Sequence, residues 1–345
     1  MARINVLAAA VLPIALSTVS FAALFPETEP NNTKATANAV AFVAPGDAVT
    51  GLSTGTSTTA TGLATADYFL ISFPAQSAGI YRNRLTLTTN GTAGHAGTIR
   101  GLTQTATGTG FTGPGTINAG TDATVQTSST LTTPVRFNQF YSFGAATSLN
   151  YRVTGATATT VGYVSTWSQE AVTPVSLGSF TEGSFTFTNF GLNSTLDTEV
   201  LVLNSSFGVI GLNDDVLDVA NGGPAVPTGS SGLNSFLPIS LTPGTYYLAI
   251  SNFNTSTSSA STANEGSADA SVLDFAGAMV NSNTGVIAAI PFRIISPDGT
   301  LDFQATKPGG FDVYFASFTV NVIPEPSALG LLAPVALLAA RRRRA

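Results

Sequence analysis

Between residues 23 and 322, apolar side chains alternate with small polar ones in runs of four to twelve residues, and no apolar stripe keeps the 3.6-residue period over a helical length. Alternating or β-rich runs predict strands over Tyr68–Phe73, Arg84–Thr88, Arg136–Phe143, Tyr151–Thr154, Ser184–Phe190, Glu199–Leu203, Tyr246–Ile250, Ile287–Ile295 and Phe311–Val322. Turn-forming clusters stand between them: Asn90-Gly91, Gly113-Pro114-Gly115, Asn213-Asp214-Asp215, Pro243-Gly244 and Pro297-Asp298-Gly299. Many short strands joined by such turns predict an all-β chain, built as one or two antiparallel β-sandwiches of jelly-roll type. Three stretches, Thr50–Thr65, Gly101–Thr133 and Thr255–Ser271, are rich in Gly, Ser, Thr and Ala and nearly free of charge. They read as long loops or connections. Strands stay open as an alternative for the middle one, because Thr is a good strand former.

Both ends break the pattern. Arg3 is followed by the apolar run Ile4 to Val19, and Ser20-Phe21-Ala22 then places small residues at −3 and −1 of a cut between Ala22 and Ala23. That order matches a secretory leader over residues 1–22. At the other end, Pro324-Glu325-Pro326 precedes Ser327, thirteen residues of apolar character from Ala328 to Ala340, and the cluster Arg341, Arg342, Arg343 and Arg344. Thirteen helical residues rise about 20 Å. A complete membrane crossing takes about 20 residues, so this would be a short transmembrane helix stretched by snorkelling arginines. The arginines would stay cytoplasmic and the body of the chain outside. The triple of Pro-Glu-Pro, short apolar helix and terminal arginines resembles the PEP-CTERM sorting signal of Gram-negative bacteria. The resemblance implies handling by an exosortase-type membrane protease. It also implies an inner-membrane intermediate and delivery to the cell surface or an exopolysaccharide matrix. Two prolines holding the site extended agree with recognition by a protease just outside the membrane.

Charge sharpens the picture. Only 9% of residues are charged, against about 25% in ordinary soluble domains. The net charge is −6, and setting aside Arg3 and the four terminal arginines leaves eight basic against nineteen acidic residues, a net of −11. With no interior basic patch, nucleic acid is not an expected partner. The chain has no cysteine, which excludes disulfides, thiolate nucleophiles and Cys-based metal sites.

Within the body, Glu29-Pro30-Asn31-Asn32-Thr33 with Ala35 and Ala37, and Ala66-Asp67-Tyr68-Phe69-Leu70-Ile71, look like the opening of bacterial pre-peptidase C-terminal domains. Leu196 to Leu203, Gly208, Asn213-Asp214-Asp215, Leu237 to Leu241 and Pro243 to Ile250 look like the body of the same family. The resemblance implies small antiparallel, non-catalytic sandwiches, in tandem over residues 23–159 and 160–322, ahead of a sorting tail at 323–345. A single split domain with a large insertion is the competing arrangement.

Candidate chemistry is sparse. The only histidine, His95, sits in a Gly/Ala-rich turn and reads as an exposed loop residue; no Gly-x-Ser-x-Gly elbow accompanies it. Of the paired carboxylates, Asp214 and Asp215 would point to opposite faces if extended, while Asp197 and Glu199 could share one. Asp197, Asn213, Asp214, Asp215 and Asp218 form an oxygen-rich group that could hold Ca²⁺, the one cofactor the sequence suggests. The single tryptophan, Trp167, with Tyr163 at the same strand parity, is a candidate sugar-stacking face, against the commoner placement in a core. The expected function is a non-enzymatic, exported structural or adhesive surface protein. The alternative is a secreted carbohydrate- or calcium-binding module.

Overall fold

The computed structural model describes residues 22–55, 65–89, 94–105, 116–129, 136–156, 160–192, 195–216, 232–258 and 271–322. Apart from a single 3-10 turn at Lys34–Thr36, every regular element among them is a strand. The expected C-terminal helix and the Pro324-Glu325-Pro326 motif with its arginines lie outside the described residues. No helix among the described residues is long and apolar enough to cross a membrane.

Numbered in chain order, the strands form four sheets. Sheet I runs β1 (Leu24–Pro26), β3 (Ala48–Gly51), β10 (Tyr163–Val172), β5 (Ile80–Thr89), β8 (Arg136–Ser142), β19 (Ala278–Asn281), β17 (Thr255–Thr257). Sheet II runs β18 (Ser271–Val272), β6 (Ala96–Thr105), β9 (Thr147–Thr154), β4 (Asp67–Phe73), β2 (Asn38–Ala41), with β7 (Thr116–Thr127) also on β6. Sheet III runs β11 (Val175–Thr181), β22 (Tyr314–Asn321), β16 (Gly244–Asn252), β13 (Thr198–Leu203), β14 (Val209–Asn213). Sheet IV runs β15 (Phe236–Leu241), β12 (Gly183–Thr188), β20 (Ile287–Ser296), β21 (Gly299–Lys307). Pairing among the described strands is antiparallel except at β1–β3, β2–β4 and β11–β22.

Alternation explains how the sheets stack. Leu85, Leu87, Phe140 and Trp167 of sheet I face Phe69, Ile71, Ile99, Leu149 and Tyr151 of sheet II in one core. Val200, Val202, Leu248 and Phe318 of sheet III face Phe187, Phe292 and Ile294 of sheet IV in a second. The intervening residues make a third: Ile80, Tyr141 and Met279 from the far side of sheet I meet Leu201, Leu203, Ala249 and Phe315 from the far side of sheet III. The order is therefore II, I, III, IV. Strand β13 is buried along its whole length because both its faces are covered. That is why its last four residues, Val200–Leu203, read as a continuous apolar run and not as an alternation. Polar ties cross the same boundary: Gln139 Nε2 donates to Asp312 Oδ1 at 2.9 Å, Arg82 Nη1 pairs with it at 3.1 Å, and Val313 N–H donates to Tyr141 Oη at 3.0 Å.

Strand pairing crosses the boundary expected at residues 159 and 160. Strand β10 pairs with β5 over ten positions, and β18 and β19 return from the second half to pair with β6 and β8. In the middle low-complexity stretch, expected first as a loop, the described residues are mostly strand, with β6 and β7 pairing from Thr98↔Thr127 to Thr105↔Thr116. Threonine's β-branch suits a pleated surface even without large apolar partners. The last predicted strand starts at Tyr314 and not at Phe311, because Phe311 sits at φ 66° in the left-handed region, where a strand cannot run.

Candidate functional site

The polar residues that come together lie at the start of the chain's body, where the first strand ends against sheet I. Parallel pairing sets Pro26 beside Thr50, and Glu27 N–H extends the ladder to Thr50 O at 2.8 Å. Leu52 N–H then donates to Glu27 Oε1 at 2.8 Å, which aims the side chain across Gly51. A Cβ on Gly51 would lie 2.6 Å from Glu27 Cδ and Oε2 and 2.7 Å from Tyr163 Oη, so glycine is what lets this carboxylate close on the sheet. The next turn is clamped by Asn38, which accepts from Thr28 N–H at 2.8 Å and donates to Thr28 O at 2.9 Å. Glu29 is held at both oxygens, by Thr65 Oγ1 at 3.0 Å and by Asn31 N–H at 3.0 Å. Asp67, the first residue of β4, arrives from sheet II, and its neighbour Tyr68 donates N–H to Asn31 O at 2.9 Å.

One oxygen from each of Glu27, Glu29 and Asp67 lies within 4.8 Å of the other two. Asp67 is 1% exposed, and neither of its oxygens has a hydrogen-bond partner among the described residues. Glu27 Oε2 and the Oδ1 atoms of Asn31 and Asn32 are likewise buried and unpartnered. Burial, then the close approach of the Glu27 carboxyl and its negative charge, pushes the Asp67 carboxyl up to about 9, against the opposing pull of the Tyr163 hydroxyl beside it. Tyr163 is pushed up in turn by burial and by Asp67 and Glu27.

Unpartnered buried oxygens around three acids are the donor set of a candidate cation site. Ca²⁺ takes six to eight oxygens at about 2.3–2.6 Å, so two ligands on opposite sides of one ion stand about 4.6–5.2 Å apart. The 4.8 Å spread of the three carboxylates therefore suits one Ca²⁺ touching all of them. An oxygen-only donor set favours a hard cation over zinc.

The residues singled out from sequence fare differently. Trp167 is withdrawn as a stacking face: it is 1% exposed, lies 5.9 Å from Phe42 and 5.2 Å from Phe73 between ring centroids, and donates Nε1–H to Asn83 at 3.0 Å. Inward parity on β10 puts it in the core together with Tyr163. His95 is also buried, not exposed: its Nε2 meets Ser53 O at 3.1 Å, its ring stands edge-on to Tyr163, and burial lowers its pKa. Among the described residues, Asp197, Asp214 and Asp215 do not bring three ligand oxygens together. Asn213 is spent locally, accepting from Phe236 N–H and donating to Asp215 O at 3.2 Å. Asp218 lies outside the described residues. Of the expected cleavage pair, Ala22 is exposed and Ala23 is half-buried against Asp47. What the sequence reading missed was Glu27. Its signal was a pair of acids two residues apart, Glu27 and Glu29, in a stretch otherwise nearly free of charge.

No protein-family model matches the chain, and no curated protein matches it.

Proposed function

We propose that this chain is a non-enzymatic, exported β-protein of the cell surface or extracellular matrix, built on sandwich-like pairs of sheets and stabilised by Ca²⁺ bound at Glu27, Glu29 and Asp67. The observation that carries the calcium reading is the partnerless Asp67 carboxylate, buried within 4.8 Å of two other acids. Export and sorting are supported by the leader-like residues 1–22 and by the tail of Pro324-Glu325-Pro326, apolar run and arginines. Calcium fits that destination, because extracellular modules use sites with dissociation constants of about 10⁻⁴–10⁻³ M.

Two measurements test the reading. Isothermal titration of the exported chain with CaCl₂ is expected to show one saturable site that Asp67→Asn removes; a flat titration would sink the calcium assignment. Replacing Pro324, Glu325 and Pro326 by alanine is expected to leave the protein in the inner membrane. Unchanged surface delivery would mean that the motif is not read.

A further inference from the structure

Ala23 is pinned on both sides. Its N–H donates to Asp47 Oδ1 at 2.8 Å, and its carbonyl accepts from Ala48 N–H at 2.9 Å. Asp47 is 2% exposed. Its second oxygen accepts from Val43 N–H at 2.6 Å and Ala44 N–H at 3.1 Å. Its carbonyl accepts from Trp167 N–H at 2.8 Å, so the carboxylate is fixed to strand β10. Burial alone would push this carboxyl up, but the amides of Val43, Ala23 and Ala44 outweigh it and hold the group below its ordinary range. Among the described residues no lysine or arginine ion-pairs with it. A buried carboxylate normally has a cation beside it.

The chain itself can supply that cation. We infer that cleavage between Ala22 and Ala23 turns the Ala23 amide into an α-ammonium that ion-pairs with Asp47, so that maturation locks the first strand onto its sheet. The inference rests on the export reading of the N-terminus. In the step, a leader peptidase breaks the Ala22–Ala23 C–N bond with water. The hydroxyl goes to the Ala22 carbonyl carbon and leaves with the leader as a carboxylate. The Ala23 nitrogen gains the other hydrogen and, at neutral pH, a further proton from solvent. The donor already aimed at Asp47 Oδ1 thus acquires a full positive charge without moving. A charged donor makes the shorter and roughly twice stronger hydrogen bond.

The test uses the full chain, expressed with its own leader in a Gram-negative host and purified from the extracytoplasmic fraction. Mass spectrometry is expected to find Ala23 as the first residue. Acylation of the α-amine at pH 7 is expected to run at least tenfold slower in the folded protein than in the same protein in urea. That corresponds to a pKa at least one unit above the ordinary value of about 7.7–8.0. Asp47→Asn is expected to restore most of the rate. If that variant does not fold, a single glycine inserted between Ala22 and Ala23 moves the ammonium off the carboxylate and is expected to do the same. Retention of the leader would overturn both the export reading and this inference. A first residue other than Ala23 would overturn the inference alone. So would equal folded and unfolded rates, or slow acylation persisting in the variants, which would assign the slowing to burial.

Discussion

Neutralising Asp67 separates a calcium site from a mere acidic cluster, because the two readings give opposite signs when the cation is withheld. Two unit charges 4.8 Å apart interact by about 3.5 kcal/mol at an effective dielectric of 20. Full ionisation would set Asp67 against two such neighbours, at a cost of about 7 kcal/mol. Holding Asp67 protonated at pH 7 costs less, about 4 kcal/mol, taken from its unperturbed pKa of about 3.9 and 1.36 kcal/mol per unit. Protonation therefore wins in the cation-free fold, and its cost is what Asp67→Asn removes. In chelator the variant is expected to be about 2–4 kcal/mol more stable than the natural chain. With calcium at a hundredfold excess over its dissociation constant, the natural chain gains about 2.7 kcal/mol. Entropies of unfolding near 2.1 cal/mol/K per residue, over about 300 residues, convert each kcal/mol to roughly 1.6 °C. Differential scanning calorimetry at pH 7 in EGTA and in 10 mM CaCl₂ should then show a rise of about 4 °C for the natural chain. Asp67→Asn should melt about 3–6 °C above the natural chain in EGTA and show no calcium response. If calcium leaves the natural chain unmoved while Asp67→Asn melts lower in both buffers, Asp67 is a structural acid with partners and the site does not exist.

The pH dependence carries the same sign. Because the folded-state pKa of Asp67 is raised, its contribution is fully present below about pH 4 and is lost as pH rises toward the folded value. Denaturant melts in EGTA are therefore expected to weaken between pH 5 and 8, by up to about 1.4 kcal/mol per unit. Calcium affinity should strengthen over the same range, since the ligand binds deprotonated. Gly51→Ala puts a Cβ 2.6 Å from the Glu27 carboxylate and is expected to lower calcium affinity at least tenfold, with about 1–3 kcal/mol of destabilisation, both read by titration and melting. Trp167→Ala is expected to cost about 3–5 kcal/mol in urea melts, and native Trp167 fluorescence should resist iodide quenching, with or without added glycans.

Strand positions were legible because alternation is a local property. Ser184–Phe190 shows it within a few residues and overlaps strand β12, while Tyr246–Ile250, apolar throughout, is betrayed by its β-forming residues and falls within β16. Layer order was not legible, because it depends on which strands have both faces covered. Val200–Leu203 announces that state by its unbroken apolar run, but nothing in it says that the second cover comes from Tyr141 and Met279. The pairing of β10 with the first half was hidden for a similar reason: ten residues of register with β5 are a long-range choice that no turn dictates. His95 was misplaced, and Trp167 stayed open between core and surface, because a Gly-flanked histidine and a polar-flanked aromatic look alike whether their parity points in or out. The acids at Glu29 and Asp67 stood inside motifs quoted from the sequence. Their convergence needs β2 and β4 paired in parallel and β1 laid on β3, two pairings between separate stretches of chain.

The two devices proposed for the N-terminal edge act on one short segment. Strand β1 has three residues, sits at the edge of sheet I, leaves Leu24 59% exposed and anchors itself in the core through Phe25 alone. Such an edge would fray without further restraint. Asp47 grips it just before the strand, through Ala23, and the Glu27–Glu29–Asp67 group grips it just after. On the proposed reading each grip matures outside the cytoplasm: one needs the free amine that leader removal creates, the other the higher calcium of the exterior. An edge held by neutral amides and mutually repelling acids before export would be weak, and the same edge after export would carry an ion pair at one end and a bound cation at the other. If the chain is exported as proposed, crossing the membrane unfolded and then persisting without disulfides, it gains from this order of events, because the charges that secure its first strand are completed only where the fold is wanted.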